Sequence, residues 1–388
     1  MSSNTNRTDT HELFFELVQV ALGKREELSH TPTDKEWRGL FEISQRQTVA
    51  GVAFMALDKL SQVGQKPPVD LLFGWIGLSE QIRQQNSLLN KRCKQLERKL
   101  DELGHKSSIL KGQGIAHYYD DSLKDYRQPG DIDVYVGCNL HGAIDIANKL
   151  GEQDLDWDYK HLHLNVFKDT EVEMHYRVEV LLNLWKNRKL QKWFREHQDA
   201  IFNANDNLDL NSNTNRTNDT NRFVTPTVEF NVFYILLHIY RHFLYEGVGL
   251  RQIVDYYFVL NKFYLSRIRE LENCPNLPDS YAVKAVEEFG MEKFAKGLMW
   301  VMQKALGMSR EWMLWEPDEK EGRYILKQVM TGGNFGHHDK RLKHSGGKLG
   351  AVKAILTHNM HLLTHYPSNV IWAPVWIVWH KCWKIFHA

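Results

Sequence analysis

Apolar residues recur at three- and four-residue spacing along most of this chain, the pattern of helices that bury one face. The spacing predicts helices over residues 11–22, 33–60 and 69–103. Thr33 followed by Glu36 has the form of a capping box, which marks the start of the second helix. The same spacing returns at Thr225-Pro226 and continues to about Met330, so both ends of the chain are predicted to be helical.

Between Gly104 and Phe202 the pattern changes to short apolar runs separated by turn residues, which is typical of strands. The predicted strands are Ser108–Leu110, Ile132–Val136, Leu162–Phe167 and Val172–Tyr176. Helices are predicted between them at residues 114–121 and 141–150, and Lys168-Asp169-Thr170 is predicted to turn a hairpin. The predicted fold class is α+β, a small mixed sheet embedded between N-terminal and C-terminal α-helical regions.

These changes of pattern divide the chain into five predicted segments. They are an N-terminal helical region (1–103), an α/β domain (104–202), a mobile polar loop (203–222), a helical domain (223–330), and a linker with an aromatic helical segment (331–388). Asn, Asp, Thr and Ser dominate the polar loop, and their side chains bond to nearby backbone in place of regular structure.

The composition excludes several classes of protein. Forty-nine basic residues against 48 acidic ones give a net charge of +1, so no overall field favours a long nucleic acid or an anionic membrane. The four cysteines form no CxxC pair, which argues against a disulfide framework or a structural zinc site. The polar N-terminus lacks the apolar stretch of a signal peptide, and the prediction is a cytoplasmic protein.

The sequence Gly130-Asp131-Ile132-Asp133 places two carboxylates at i and i+2 of a predicted strand. They point to the same face about 6–7 Å apart, and a divalent cation between them is the usual way to keep both ionised. On this short pattern alone, two solvated aspartates on an exposed edge strand are the favoured interpretation.

Residues on either side of the pair change that balance. Upstream, Lys111-Gly112-Gln113 follows a strand and leads into a helix, where free backbone N–H groups and a lysine suit phosphate. Downstream, a strand of alternating pattern carries a third carboxylate, Glu173. Phosphate turn, carboxylate pair and third carboxylate follow each other in the order that a two-metal phosphoryl-transfer site needs.

The order LKG, helix, R-x-x-GDID, then V-E-M-H resembles the palm of the DNA polymerase beta-like nucleotidyltransferases, and is most similar to their uncharacterised bacterial family 5 branch. The resemblance covers about residues 37–255 and is strongest over 109–175. It implies transfer of an NMP from an NTP, ATP included, to a hydroxyl acceptor with Mg²⁺ or Mn²⁺. Members of the superfamily usually have Gly-Ser at the phosphate turn, whereas this chain has Gly112-Gln113.

Residue roles follow from the resemblance. Asp131, Asp133 and Glu173 would hold the metal and carry catalysis. Lys111, Gly112, Gln113, Arg127 and Gly130 would contact the nucleotide, with a solvated loop arginine as an equal alternative for Arg127. His163 and His175 would lie beside the site. From their spacing of four residues, Arg251 and Asp255 are expected to form a solvated surface pair. The resemblance implies the alternative that their helix packs beside the palm and helps to form the substrate cleft.

Two other functions compete with this hypothesis. One is a non-catalytic relative that binds a nucleotide or a partner protein, although all three carboxylates are intact. The other is a metallohydrolase that binds zinc through His161, His163 and His175. His238 and His242 also have a zinc-compatible spacing, but packing is the favoured interpretation for them.

The C-terminal tail concentrates Trp372, Trp376, Trp379 and Trp383 with lysines. Packing of this tail onto the protein core or onto a second copy is favoured. The alternative is an interfacial membrane helix, through which the protein would associate peripherally with a membrane. The acceptor stays open among a sugar phosphate, an antibiotic-like molecule, a tRNA end and a protein side chain. The neutral net charge favours a small molecule or a protein over a long nucleic acid.

Overall fold

The computed structural model describes residues 5–202, 223–273, 278–333, 362 and 365–387. Its helices are α1 Thr5–Ala21, α2 Asp34–Arg46, α3 Ala50–Phe54, α4 Ala56–Gln62, α5 Val69–Glu102, α6 Gln113–Ala116, α7 Leu140–Lys149, α8 Leu184–Glu196, α9 Asp199–Phe202, α10 Val228–Tyr245, α11 Leu250–Asn273, α12 Tyr281–Glu288, α13 Glu292–Leu306, α14 Glu319–Gly332 and α15 Pro367–His387. Its strands are β1 Ser108–Ile109, β2 Ile132–Tyr135, β3 Asp156–Trp157, β4 His161–Leu164 and β5 Val172–His175. The predicted α+β class is confirmed. The predicted mobile loop at 203–222 lies outside the described residues, as does most of the linker after Gly333.

The chain forms two compact units that alternate along the sequence. Unit 1 comprises Met1–Leu88, Ile115–Pro129 and Gly247–His338, and unit 2 comprises Leu89–Gly114, Gly130–Glu246 and Asp339–Ala388. Helix α5 begins in the first and continues into the second. The described part of unit 1 is helical, whereas unit 2 contains the sheet.

In unit 1 the predicted capping box is confirmed, since the Thr33 hydroxyl accepts from Glu36 N and the Glu36 carboxylate accepts from Thr33 N. The single helix predicted over 33–60 is wrong, because α2, α3 and α4 replace it. The break is held by Gln47, whose buried amide donates to Val329 O and accepts from Leu250 N, both at 3.0 Å. Gly51 follows, and a Cβ there would lie 2.2 Å from Tyr126 O.

Two other predicted boundaries are wrong. The helix expected at 114–121 is only the four-residue α6, after which i to i−3 turns carry the chain on to Tyr119. Helix α10 begins after Thr227 and not at Thr225, because the Thr227 hydroxyl accepts the hydrogen bond from Phe230 N. Thr225 is buried upstream of the cap.

The sheet of unit 2 has the strand order β1-β2-β5-β4-β3. Strands β2 and β5 are parallel, and the other neighbouring pairs are antiparallel, so the sheet is mixed as predicted. The predicted hairpin through Asp169 joins β4 to β5. Strand β3 was not predicted; it has only two residues, too few for an alternating pattern.

The two faces of this sheet differ because side chains alternate along each strand. One face is apolar and packs on α7 and on the part of α5 that lies in unit 2, around Val134, Leu162 and Met174. The other face carries Asp133, Glu173 and His175. The candidate chemistry therefore lies on the polar face of the sheet.

Helix α15 packs on the same unit through its tryptophans. Trp376, Trp379 and Trp383 contact the ring of Tyr159 at centroid distances of 5.3, 4.9 and 4.8 Å. Ile371 and Val378 lie on the exposed side of the helix. None of the described helices combines the length and the apolar character needed to cross a bilayer.

Candidate functional site

The candidate carboxylates lie side by side because of the strand register. Asp133 on β2 is the direct partner of Glu173 on the parallel strand β5, and His163 on β4 is the partner of Glu173 on its other side. Two residues further along β5, and on the same face, His175 stands between Tyr135 and His161. The sheet thus gathers side chains that are 42 residues apart in the sequence into one polar ladder.

Asp133 makes the shortest ionic contacts in this ladder and is 3% exposed. Its Oδ1 lies 2.7 Å from Lys111 Nζ and 2.8 Å from His175 Nε2. Burial acts to raise the pKa of Asp133, but the charge of Lys111 and the hydrogen bond from His175 hold it well below the usual value. Asp133 is therefore an ionised carboxylate beside two cationic groups.

His175 is fully buried, and both of its ring nitrogens face acceptors. Nε2 lies 2.8 Å from Asp133 Oδ1 and 3.3 Å from Glu173 Oε2, while Nδ1 lies 3.3 Å from Arg177 O. Burial lowers the pKa of this imidazole, but the hydrogen bonds to the two carboxylates raise it above the ordinary value. Its geometry is that of an imidazolium that donates from both nitrogens.

The other two carboxylates respond to their neighbours in opposite ways. The pKa of Asp131 is raised to about 6, chiefly by the negative charge of Asp133 and then by burial. For Glu173 burial acts to raise the pKa, but hydrogen bonding to His175 lowers it to about 2. Asp133 and Glu173 thus share His175, and the repulsion from Asp133 falls on Asp131.

The Lys111-Gly112-Gln113 turn joins β1 to α6. Gly112 has φ +53, a conformation that favours glycine, and a Cβ there would lie 3.5 Å from Asp131 O. The buried Gln113 side chain donates from Nε2 to Asn90 Oδ1 at 2.8 Å. Because α6 has only four residues, its dipole contributes little, and Lys111 is the main positive charge of this turn.

Arg127 belongs to unit 1, and there it forms a buried bidentate pair with Asp255. Its Nε and Nη2 donate to the two carboxylate oxygens at 2.7 and 2.8 Å, and the Tyr119 hydroxyl donates to Oδ1 at 2.7 Å. Arg251 donates from Nη1 to Gln128 O at 3.3 Å. The expectation of a solvated surface pair at Asp255 is wrong, because Asp255 is buried and binds Arg127. Gly130 is exposed and directly precedes Asp131.

The histidines of β4 add a second group of ligand atoms. Those of His161, His163 and Glu173 all lie within 4.8 Å of one another, as do those of Asp133, Glu173 and His175. His161 is buried, and its Nδ1 lies 3.5 Å from Glu173 Oε2. Burial, followed by the charge of His175, lowers the pKa of His161 to about 4, so this imidazole is neutral.

A buried ionic cluster near the site was not found by sequence analysis. Glu179 is fully buried, and its carboxylate lies 3.1 Å from His238 Nδ1, 3.3 Å from Arg241 Nε and 3.7 Å from Lys160 Nζ. Burial acts to raise the pKa of Glu179, but Lys160 and Arg241 hold it well below the usual value. The sequence signal that could have indicated a buried glutamate is the position of Glu179 between two valines, Val178 and Val180.

His238 and His242 face different carboxylates, since His242 Nδ1 lies 2.8 Å from Glu246 Oε2. Their ring nitrogens are thus directed at Glu179 and Glu246, in agreement with the packing interpretation.

The donor atoms of the ladder fit a divalent cation. Asp133 and Glu173 offer carboxylate oxygens, the ligands that Mg²⁺ and Mn²⁺ prefer, within 4.8 Å of each other and of His175. Among the described residues Asp131 belongs to neither group of ligand atoms. The raised pKa of Asp131 has the charge of Asp133 as its main cause, and a cation between them would remove that repulsion.

Comparison with known proteins places this geometry in context. A family model described as uncharacterised nucleotidyltransferase matches residues 33–307, well over half of the chain. The matched span contains all five described strands, the turn at Lys111, and Asp131, Asp133 and Glu173. Searches of curated proteins and of solved structures gave no match.

Proposed function

The chain belongs to this nucleotidyltransferase family, and we propose that it transfers an NMP from an NTP to a hydroxyl acceptor, with Mg²⁺ or Mn²⁺ as cofactor. The observation that supports this most directly is the lateral register of Asp133 and Glu173, with Asp131 directly before the same strand. Two carboxylates on one polar sheet face, a third directly before β2 and a lysine turn beside them are the parts that phosphoryl transfer needs.

Asp131, Asp133 and Glu173 are the residues that would hold the cation. When bound, it supplies charge neutralisation at the phosphates and a lowered pKa for the attacking hydroxyl. The protein's own contribution is to fix the carboxylates in place. His175 does this by binding both Asp133 and Glu173, at 2.8 and 3.3 Å.

Lys111 and Gly112 would receive the phosphates. Lys111 Nζ stands at the carboxylate cluster, 2.7 Å from Asp133 Oδ1, so its charge lies where phosphate oxygens would gather. The acceptor oxygen forms a bond to the α-phosphorus, the bond from that phosphorus to the bridging oxygen breaks, and pyrophosphate leaves with the electron pair. The hydroxyl proton passes to solvent or to a carboxylate of the site.

A non-catalytic nucleotide-binding relative is a second candidate, and one feature favours it. Oδ1 of Asp133 already accepts from Lys111 and His175, so two protein cations compensate this carboxylate. A third candidate is a zinc hydrolase, which the grouping of His161, His163 and Glu173 favours.

One assay separates the three candidates. Purified protein is incubated with each α-labelled NTP, with Mg²⁺ or Mn²⁺, and with cell extract, and the labelled fraction is identified. Asp131→Ala and Asp133→Ala should abolish transfer, whereas Asp145→Ala, an exposed aspartate of α7 in the same unit, should leave it unchanged.

Each result assigns one function. Labelled protein would show an acceptor side chain, and a labelled small molecule would show metabolite chemistry. Nucleotide binding without transfer by the wild-type protein would select the non-catalytic relative. Stoichiometric zinc by elemental analysis, with hydrolysis in place of transfer, would select the hydrolase. Transfer retained by Asp133→Ala would contradict the assignment of the site.

A further inference from the structure

A cavity of about 550 Å³ lies in unit 2 beyond the carboxyl ends of the parallel strands β2 and β5. Tyr135, the last residue of β2, lines it, and so do Tyr176 and Arg177, which directly follow β5. Ligand sites of α/β sheets commonly lie beyond the carboxyl ends of parallel strands, and this volume is in the range of small-molecule sites.

All of the charged side chains that line the cavity are positive. Arg177, Arg188 and Arg195 line it, and no aspartate or glutamate does. None of the three guanidinium groups forms an ion pair with any residue that the structure describes. Arg188 and Arg195, with Gln191 between them, are spaced i, i+3 and i+7 and so occupy one face of α8. Three arginines in one concave surface favour an anionic ligand.

Arg177 is held in a fixed orientation. Its Nη1 donates to Tyr159 O at 2.6 Å, and its guanidinium lies 3.8 Å from the centre of the Tyr159 ring and 4.8 Å from that of Tyr176. A planar guanidinium fixed in this way can bind a phosphate or carboxylate through two parallel hydrogen bonds. The ring of Phe194 adds apolar surface to the same cavity.

Gly137 allows the wall of the cavity to close. It has φ +64, and a Cβ there would lie 2.8 Å from Gln198 Nε2 and 2.9 Å from the Phe202 ring. The next residues lead into α7, whose first turn is capped by Asn139 and directs its positive dipole end towards this part of the chain.

The position of the cavity along β2 fits one role in the reaction. Tyr135 is two residues beyond Asp133, about 6.8 Å along the strand. The Lys111-Gly112 turn borders the opposite, amino end of β2, where Gly112 approaches Asp131 O. In an in-line displacement the attacking and leaving oxygens lie on opposite sides of the phosphorus. If pyrophosphate departs on the side of the lysine turn, the nucleophile must therefore approach from the opposite side. That side is the carboxyl end of β2, where the cavity lies.

We propose that this cavity binds the acceptor, and that the acceptor is a small hydroxyl compound that carries a phosphate or carboxylate group. The proposal rests on the nucleotidyl transfer proposed above. The anionic group binds Arg177 with Arg188 or Arg195, and the hydroxyl reaches towards Asp133. The hydroxyl oxygen forms the bond to the α-phosphorus, pyrophosphate leaves, and the anionic group of the acceptor is unchanged.

Titration calorimetry with three probes tests the binding site without knowledge of the acceptor. Phenyl phosphate or benzoate should bind, and phenol should not, because only the first two are anionic. Arg177→Gln should weaken the binding of the anionic probe by roughly 10-fold or more, the loss expected for a charge-assisted hydrogen bond. Lys189→Gln removes the same charge from an exposed position of α8 outside the cavity and should leave affinity unchanged.

Comparison of the two anions identifies the group: tighter phenyl phosphate indicates a phosphorylated acceptor and tighter benzoate a carboxylated one. Absence of binding for both, or equal binding by wild type and Arg177→Gln, would overturn the proposal. So would displacement of the probe by a non-hydrolysable NTP analogue, since the cavity would then hold the nucleotide.

A further variant separates this proposal from the proposed function. Asp133→Asn should lose transfer but keep probe binding, because the cavity does not include Asp133. If wild-type protein binds the probe through Arg177 but transfers no nucleotide to any fraction of cell extract, the anion site stands and the transferase proposal fails. If transfer occurs and Arg177→Gln leaves its rate and the KM of the acceptor fraction unchanged, the acceptor site fails alone.

Discussion

Two of the buried ionic clusters that the described residues form differ in character, and they lie in different units. In unit 1, Arg127 faces Asp255 with two hydrogen bonds, and the Tyr119 hydroxyl takes a further lone pair of the same carboxylate. One cation balances one anion. In unit 2, Asp133 contacts Lys111 and the buried His175, and Glu173 contacts the same histidine. Asp131 adds a third carboxylate that feels the charge of the other two. Three carboxylates there exceed two cations.

The electrostatic consequence of that difference appears at Asp131. Its pKa is raised to about 6 chiefly because Asp133 lies beside it, so the cluster stores a repulsion that a cation would relieve. The Arg127–Asp255 pair has no such excess. A closed pair of this kind leaves no charge uncompensated, whereas an unbalanced group of carboxylates has capacity for a further ligand. The sign of the imbalance, more than burial itself, distinguishes the candidate site.

The largest expected effect is on catalysis. Asp133→Asn and Glu173→Gln should each lower the rate of NMP transfer by at least about 10²–10³-fold, because each removes a charge that faces the reacting phosphate. Steady-state kinetics with labelled NTP measures this, and circular dichroism confirms that the variants are folded. Asp145→Asn, on the exposed surface of the same unit, is the matched control. A fall of less than tenfold in both site variants would place the catalytic centre elsewhere.

The second-largest expected effect is on the stability of the fold and concerns the Arg127–Asp255 pair. Arg127→Met leaves the buried Asp255 carboxylate without its partner and should lower the free energy of unfolding by about 3–5 kcal/mol. Urea denaturation measures the loss. Arg38→Met breaks an exposed pair with Asp70 in the same unit and should leave the denaturation midpoint unchanged. Adding Asp255→Leu to Arg127→Met should recover part of the stability.

The same variant decides the second role predicted for Arg127. If Arg127→Met were as stable as wild type and instead raised the KM for NTP, the arginine would be a phosphate contact and not the partner of a closed pair.

A smaller effect tests the excess of negative charge directly. At a Mg²⁺ concentration ten times its Kd, the free energy of unfolding of the wild-type protein should rise by about 1.4 kcal/mol through binding to the folded state alone. Asp133→Asn should lose this gain, and Arg38→Met should keep it. Denaturation with and without Mg²⁺ measures both. Equal stabilisation of wild type and Asp133→Asn would show that the metal binds outside the carboxylate ladder.

Local patterns predicted much of this arrangement. Alternation correctly placed Asp133 and Glu173 on strands, whereas Asp131, predicted on the same strand as Asp133, lies directly before β2. The Thr33 capping box was predictable because donor and acceptor are three residues apart. The pairing of β2 with β5 could not be predicted from the sequence pattern, because strand register depends on contacts between distant segments. His175 was consequently placed beside the site, without its bridging role between Asp133 and Glu173.

Long-range hydrogen bonds explain the failures. The side chain of Gln47, at the end of α2, forms hydrogen bonds with the backbone of Val329 and Leu250, which lie about 200 or more residues away in the sequence. No local sequence pattern predicts these bonds. Glu179 is similar, because its partners Lys160 and Arg241 come from separate elements. Buried charged groups whose partners are distant in the sequence are the features that periodicity does not detect.

The smallest predicted effect concerns Gln113, which sequence reasoning assigned to nucleotide binding. Its Nε2 binds Asn90, while its Oε1 is buried with no hydrogen-bond partner among the described residues. Gln113→Ala should lower the free energy of unfolding by about 0.5–1.5 kcal/mol, the usual net value of one hydrogen bond. Because the side chain faces α5, the KM for NTP should change by less than roughly threefold, well below the factor of ten that a lost 1.4 kcal/mol of binding produces. Asn90→Ala removes the same hydrogen bond from the other side and should match the stability loss. A tenfold rise in the KM for NTP in Gln113→Ala but not in Asn90→Ala would show that Oε1 of Gln113 contacts the substrate. The Lys111-Gly112-Gln113 turn would then bind NTP through this side chain as well.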